Sequence, residues 1–271
     1  MNLPDLTMPK FDAERFFKEF WRTKPLFVPQ GAKFFLEKTH DYEWFEQVKK
    51  SMSQSKDNIF EHKGVVSFIE RISEHDTHLG EQAALMRSKF NFPACWFDAI
   101  QTDKPTNAGI GTHFDHSDNF ILQQQGTKYW QLASEKYIPN ELKAKRMLLH
   151  NQSGDFYFPK NCETVNFVLN PGDLLYIPLN WIHDGHSNSP SLSISLVCPA
   201  IPFHSLILQL AEAAKVAGTG YQPIPLLHPW LTEQEKNQTN ALCSKVLKHM
   251  LNHLNENLVE KMIANILKKN S

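Results

Sequence analysis

The stretch from residue 95 to residue 200 constrains this chain most. Short apolar segments at 96–102, 119–123, 128–133, 164–169, 174–177 and 192–197 are cut apart by glycine, proline and asparagine. Strands this short, at this spacing and with turn residues between them, predict a β-sandwich or a jelly-roll barrel. The flanks read differently. Residues 12–22 set Phe16, Phe17, Phe20 and Trp21 on one side of a helix that Lys24-Pro25 ends, and Leu26-Phe27-Val28 follows as a short strand. A second helix carries Tyr42, Trp44, Phe45 and Val48 up to a polar linker, 50–58, expected to be exposed.

Past Pro202 the texture is helical. One helix is expected over 204–215, and the capping-box pattern Thr232-Glu233-Gln234-Glu235 starts another. Its apolar positions Leu242, Val246, Leu247, Met250, Leu251 and Leu254 recur at helical spacing, with a break at 255–257 and a further stripe from Leu258 to Leu267. These stripes are expected to pack on the barrel; a homodimer interface through the C-terminal helices is the alternative. The expected organisation is therefore an N-terminal helical and strand segment over 1–94, a mainly β core over 95–202 and a C-terminal helical region over 203–271.

Twenty-eight basic residues against 29 acidic give a net charge of −1, so no global field draws the chain to nucleic acid or to a membrane surface. The four cysteines contain no C-x-x-C pair, which argues against a zinc knuckle and a dense disulfide framework. Met1 to Lys10 has no apolar run behind Pro4, Asp5 and Pro9, so neither a signal peptide nor a membrane anchor is expected, and the cytoplasm is the expected location.

Chemistry concentrates in two places. Gly109-Ile110-Gly111-Thr112-His113-Phe114-Asp115 puts an imidazole and a carboxylate two residues apart, on one face if the segment is a strand. Two histidines and one carboxylate on one face suit non-haem Fe(II), because three positions stay open. The second place is Gly172 to His183: a Pro-Gly turn, a buried strand, a bend at Pro178 and then a histidine. A lone H-x-D is weak evidence, and its force comes from the pairing with His183. His116 and His186, each three residues from a ligand, are expected to turn to the opposite face. The cluster His75-Asp76-Thr77-His78 reads as a solvated loop.

With those residues in view, the chain resembles the Jumonji-C and cupin-like hydroxylases over residues 10–200. The H-x-D at His113 and Asp115 matches, and Tyr176-Ile-Pro-x-x-Trp-x-His183 is similar to the family's second metal motif. Asn119 to Leu122 followed by Gly126-Thr127-Lys128-Tyr129-Trp130 is similar to the strand and turn that carry a basic residue for the far carboxylate of 2-oxoglutarate. The resemblance implies a double-stranded β-helix, with Fe(II) on His113, Asp115 and His183 as the catalytic centre. It implies 2-oxoglutarate as cosubstrate, contacted by Lys128, Asn119 and Ser193 or Ser195.

Three departures stand out: Asn180 where many relatives have glycine, lysine rather than arginine at 128, and serines on the strand 191–197 where asparagine or threonine is common. The implied reaction is hydroxylation of a C–H bond, or demethylation if that carbon bears nitrogen. A protein or peptide side chain is the expected substrate, with a small molecule or tRNA as alternatives, and a mouth near His116, Trp181 and His186. A non-catalytic cupin-like module that binds metal or ligand is the rival from another class. It would be marked by loss of a triad residue or of Lys128, and all four are present. An isomerase or a dioxygenase without 2-oxoglutarate on the same barrel would need more histidines and no buried lysine.

Overall fold

The computed structural model describes residues 3–52, 58–104, 109–149, 157–201, 208 and 232–252. Met1–Ala200 and Ile201–Ser271 are separate compact units. In the first, α1 (Ala13–Glu19) is capped by Asp12, whose carboxylate accepts the Arg15 N–H at 3.0 Å. The chain turns out of the helix through Arg22, at φ +56°, into β1 (Leu26–Val28). Next come α2 (Tyr42–Ser51), β2 (Ile59–His62), β3 (Val66–Ile69) and α3 (Thr77–Phe90). The barrel strands follow as β4 (Trp96–Thr102), β5 (Ser117–Gln125) and β6 (Lys128–Ala133). After α4 (Asn140–Leu149) come β7 (Thr164–Leu169), β8 (Leu174–Ile177), β9 (Ile182–His186) and β10 (Ser191–Pro199).

A seven-stranded antiparallel sheet, ordered β1-β8-β5-β10-β4-β3-β2, faces a three-stranded one, β7-β6-β9. The chain thus has the two-sheet jelly-roll architecture expected, with N-terminal strands widening the larger sheet. Side-chain alternation builds two apolar layers. Phe120, Leu122, Leu192, Ile194 and Leu196 point out of the large sheet to Phe16, Phe20, Phe35 and Phe45 of the helical layer. Ile121, Leu175 and Ile177 point between the sheets to Trp130, Leu132, Val165, Phe167 and Leu169.

A buried polar knot ties the N-terminal segment to the barrel. The Tyr176 hydroxyl donates to Asp118 Oδ1 at 2.7 Å and accepts the Arg22 N–H at 2.8 Å, while Arg22 Nε donates to Asp118 Oδ2 at 2.9 Å. Removing only the hydroxyl, in Tyr176→Phe, takes one of two donors from Asp118 Oδ1, which keeps the Leu179 N–H at 3.2 Å, leaves the part-buried Arg22 N–H without its acceptor, and is expected to cost about 1–3 kcal/mol of stability. Urea unfolding followed by tryptophan fluorescence measures this; an unchanged midpoint would show that the knot adds nothing.

Several expectations are corrected. His75-Asp76-Thr77-His78 is no loop: Asp76 caps α3, accepting the Leu79 N–H at 2.9 Å and the Trp44 indole N–H at 2.8 Å. Trp181 lies in the inter-sheet core, 3% exposed, rather than at a mouth, because its indole fills the space beside Ile121 and Trp130. In the linker, Met52 is buried, and 53–57 lie outside the described residues.

In the second unit, α5 (Glu233–Asn252) starts at the expected capping box. Glu235 N–H donates to Thr232 Oγ1 at 3.3 Å, and Thr232 N–H donates to Glu235 Oε2 at 2.8 Å. The helix over 204–215, apart from residue 208, the break at 255–257 and the stripe from Leu258 to Leu267 lie outside the described residues. So do the side chains at 246, 247, 250, 251 and 254. Among the described residues, no helix is long and apolar enough to cross a membrane.

Candidate metal centre

The two motifs meet through their backbones. His113 and His183 form an antiparallel bridge, with the His113 N–H on the His183 carbonyl at 3.0 Å and the reverse bond at 2.8 Å. His113 and Asp115 therefore do not lie on a strand, as their period of two suggested; they occupy an irregular segment just before β5. What fixes them is the partner motif. Asn180, at φ +61°, turns its N–H onto the Asp115 carbonyl at 2.9 Å, a left-handed conformation that asparagine tolerates. The glycines ahead of His113 have separate reasons. A Cβ at Gly109 would sit 1.9 Å from the Gly185 carbonyl oxygen, and Gly111 has φ +101°.

The side chains converge as the bridge dictates. His113 Nε2 and His183 Nε2 are 3.1 Å apart, and Asp115 Oδ2 lies 3.5 Å from the second and 3.9 Å from the first. Among the described residues this is the one group of three or more such donors within 4.8 Å of each other. Each ring is oriented from behind. His113 Nδ1 donates to the Gly111 carbonyl at 2.8 Å and His183 Nδ1 to the Trp181 carbonyl at 2.9 Å. A carbonyl only accepts, so each Nδ1 carries a proton and each ring turns its Nε2 inward. Burial, then the neighbouring His113, holds the His183 ring down at about 4, neutral at pH 7. Burial pushes the Asp115 carboxyl up, but His113, His183 and Arg146 together outweigh it and hold it at about 2.

Two ring nitrogens and a carboxylate oxygen this close form a donor set that a cation between them would satisfy. Cis ligands about 2.1 Å from one ion stand roughly 3 Å apart, close to the nitrogen separation here. The donor set, two imidazoles and one carboxylate on one face, fits Fe(II).

Lys128 begins β6 and is 1% exposed. Its Nζ lies 5.3 Å from the Trp130 ring, and among the described residues it makes no ion pair or hydrogen bond. Burial, partly opposed by Asp184, lowers its pKa to about 7. Pairing registers place Lys128 four residues from Leu132, which faces His183, so the lysine lies along the strand from the triad.

The other expected contacts divide. Asn119 donates from Nδ2 to Asp115 Oδ2 at 3.0 Å, which makes it a partner of the carboxylate in this structure. Ser193 is committed to Gln123 Oε1 at 2.7 Å. Ser195 is half-buried between Ile121 and the buried Asp98. His186 stacks on Tyr129 at 5.6 Å on the outer face of the small sheet, while the His116 carbonyl accepts the Ala200 N–H at 3.0 Å. Sequence reasoning missed Arg146, whose Nη2 reaches Asp115 Oδ1 at 3.1 Å. In Lys143-Ala144-Lys145-Arg146 it has the look of a solvated helix face.

Comparison with known proteins agrees with this geometry. Residues 82–206 match the JmjC domain model. A bifunctional lysine-specific demethylase and histidyl-hydroxylase NO66 from Drosophila persimilis is 33% identical over 97 residues, 35% of this chain and 13% of that protein. A probable ribosomal oxygenase from Haemophilus influenzae is 26% identical over 134 residues, 47% of this chain and 30% of that protein. The matches thus span less than a third of those two relatives. The Escherichia coli ribosomal oxygenase YcfD, solved with cobalt and 2-oxoglutarate, superposes with a TM-score of 0.57. That match covers 95% of this chain and 71% of that one at 16% identity, which establishes a shared fold.

Proposed function

We propose, from the premise that this chain belongs to the JmjC, cupin-like family, that it is an Fe(II)- and 2-oxoglutarate-dependent oxygenase hydroxylating a C–H bond of a protein or peptide side chain. The observation that carries the reading is the pair of inward Nε2 atoms 3.1 Å apart beside Asp115. Fe(II), when bound with 2-oxoglutarate, supplies the redox chemistry: dioxygen, cosubstrate and C–H bond become alcohol, succinate and carbon dioxide.

The residues of the chain do the rest. His113, Asp115 and His183 would hold the ion through two imidazole nitrogens and one carboxylate, a donor set that suits Fe(II) and its chemistry with dioxygen and a 2-oxo acid. Lys128 offers a cation for the far carboxylate of 2-oxoglutarate, and that carboxylate gives the buried ammonium the anion it lacks. Trp130, Leu132, Ile121 and Leu175 wall the space between the sheets with apolar surface that excludes water.

Relatives named ribosomal oxygenase and histidyl-hydroxylase favour a protein side chain over a metabolite as substrate. Four unpaired cysteines suit a reducing compartment, in keeping with the cytoplasm.

Anaerobic titration with Fe(II) and 2-oxoglutarate, watched for the visible charge-transfer band of the chelate, tests metal and cosubstrate together. Aerobic incubation with peptide extracts, followed by mass spectrometry for one added oxygen atom, tests the substrate class. Turnover of a metabolite with no modified peptide would refute that class.

A further inference from the structure

One cation at the site has no task in binding the ion or the cosubstrate. Arg146 sits on α4, its side chain 16% exposed, and its hydrogen bond to Asp115 Oδ1, 3.1 Å from Nη2, is the only one it makes among the described residues. Among the described residues its Nε is buried with no hydrogen-bond partner. The Asp115 carboxylate is thereby divided. Oδ1 belongs to the guanidinium, while Oδ2 faces His183 Nε2 at 3.5 Å and His113 Nε2 at 3.9 Å. Asn119 cannot impose that division, because its amide donates to Oδ2, the oxygen on the histidine side.

Resting on the oxygenase reading above, we propose that Arg146 is a positioning residue that keeps Asp115 a one-oxygen ligand. Two histidines and one carboxylate oxygen use three of six positions, a cosubstrate chelating through two oxygens uses two more, and one remains for dioxygen. An aspartate is free to swing about its terminal torsion, which is broad and roughly two-fold, and could bring both oxygens to the ion. Doing so would consume the sixth position or force the cosubstrate to give up one of its own. A guanidinium bonded to Oδ1 opposes that swing with a charge-assisted hydrogen bond.

The alternative is that the ion pair merely docks α4. The helix has other anchors: Leu142 packs against the cluster of Phe114, Ala133, Ile138 and Ile182, and Lys143 pairs with Glu135. An arginine whose one side-chain bond among the described residues is to a proposed metal ligand constrains that ligand whatever else it anchors.

The test uses the full chain with Co(II) in place of Fe(II), so that binding and coordination are read without turnover. Arg146→Met is expected to keep its thermal midpoint and to bind Co(II) within about threefold of the wild type. Its Co(II) absorption spectrum should change, and 2-oxoglutarate should bind the Co(II) form at least tenfold more weakly. Arg146→Lys, which still reaches Oδ1 with a donor, should restore both. Arg146→Gln, whose amide stops two bonds short, is the second variant if methionine proves unstable, and the same tenfold loss is expected of it. If the variants differ from wild type only in thermal midpoint, with unchanged spectrum and 2-oxoglutarate affinity, the pair is a helix anchor and the proposal is overturned. If the wild-type chain itself takes up neither Co(II) nor 2-oxoglutarate, the oxygenase reading falls, and this inference with it.

Discussion

His183→Ala is expected to weaken metal binding more than about a hundredfold and to remove turnover while leaving the barrel folded. The imidazole is 3% exposed and neutral, with Nδ1 tied to the Trp181 carbonyl, so its loss removes one of three donors and opens a small space. Partners that only orient a ligand are worth about 10–100-fold in metal affinity, so deleting the ligand itself should cost more than about a hundredfold. Thermal unfolding with and without Co(II) reads this directly. At an ion concentration 100 times the wild-type dissociation constant, the wild type gains about 2.7 kcal/mol, and the variant should gain less than about 0.4 kcal/mol. A metal-dependent rise in the variant equal to the wild type's would remove His183 from the site.

Lys128→Met is expected to act in opposite directions on binding and on stability. Without the ammonium, 2-oxoglutarate affinity should fall more than about a hundredfold, the scale of losing a buried charge partner, while Co(II) affinity holds. The ligand-free protein, however, should become more stable. The folded pKa of Lys128, about 7, lies below the ordinary 10.5, so the folded state holds fewer protons than the unfolded chain between those values. This group's cost to stability is therefore fully present below pH 7 and fades as pH rises toward 10.5. Methionine removes the cost, a gain of about 2–5 kcal/mol below pH 7 that shrinks toward alkaline pH. In the wild type, 2-oxoglutarate affinity should drop about tenfold for each pH unit above 7, where the free lysine loses its proton. Calorimetry from pH 6 to 9, paired with urea unfolding of both proteins, checks each sign. A Met variant less stable at pH 6 would show that the ammonium holds the fold together.

Much of the barrel is legible in the sequence because its strands are apolar and well punctuated: 96–102, 128–133, 164–169 and 174–177 coincide with observed strands. The missed elements lack that signature. Ile59–His62 is a half-exposed edge strand, and Ile182–His186 reads Ile-His-Asp-Gly-His, in which function has displaced β-propensity. Thr77–Phe90 opens with the polar residues that mask it and carries no strong apolar stripe.

At the site, His113, Asp115 and His183 were readable as residue types at set spacings, although the strand inferred for the first two is absent. Their convergence rests on main-chain bonds between segments 70 residues apart, which no local pattern encodes. Arg146 was unreadable for a similar reason: it lies 31 residues beyond Asp115, on a helix whose lysines look solvated.

The backbone bridge between His113 and His183, with the Asn180 N–H on the Asp115 carbonyl, bears on how an ion is acquired and lost. The conformational entropy of gathering three distant ligands is spent when the barrel closes, before any ion arrives. An entering ion therefore meets ligands the main chain already holds together and has no folding to drive, unlike metals in small domains that collapse without them. A chelator should strip this centre reversibly, leaving far-ultraviolet dichroism unchanged, and a fresh ion should restore it without a refolding phase.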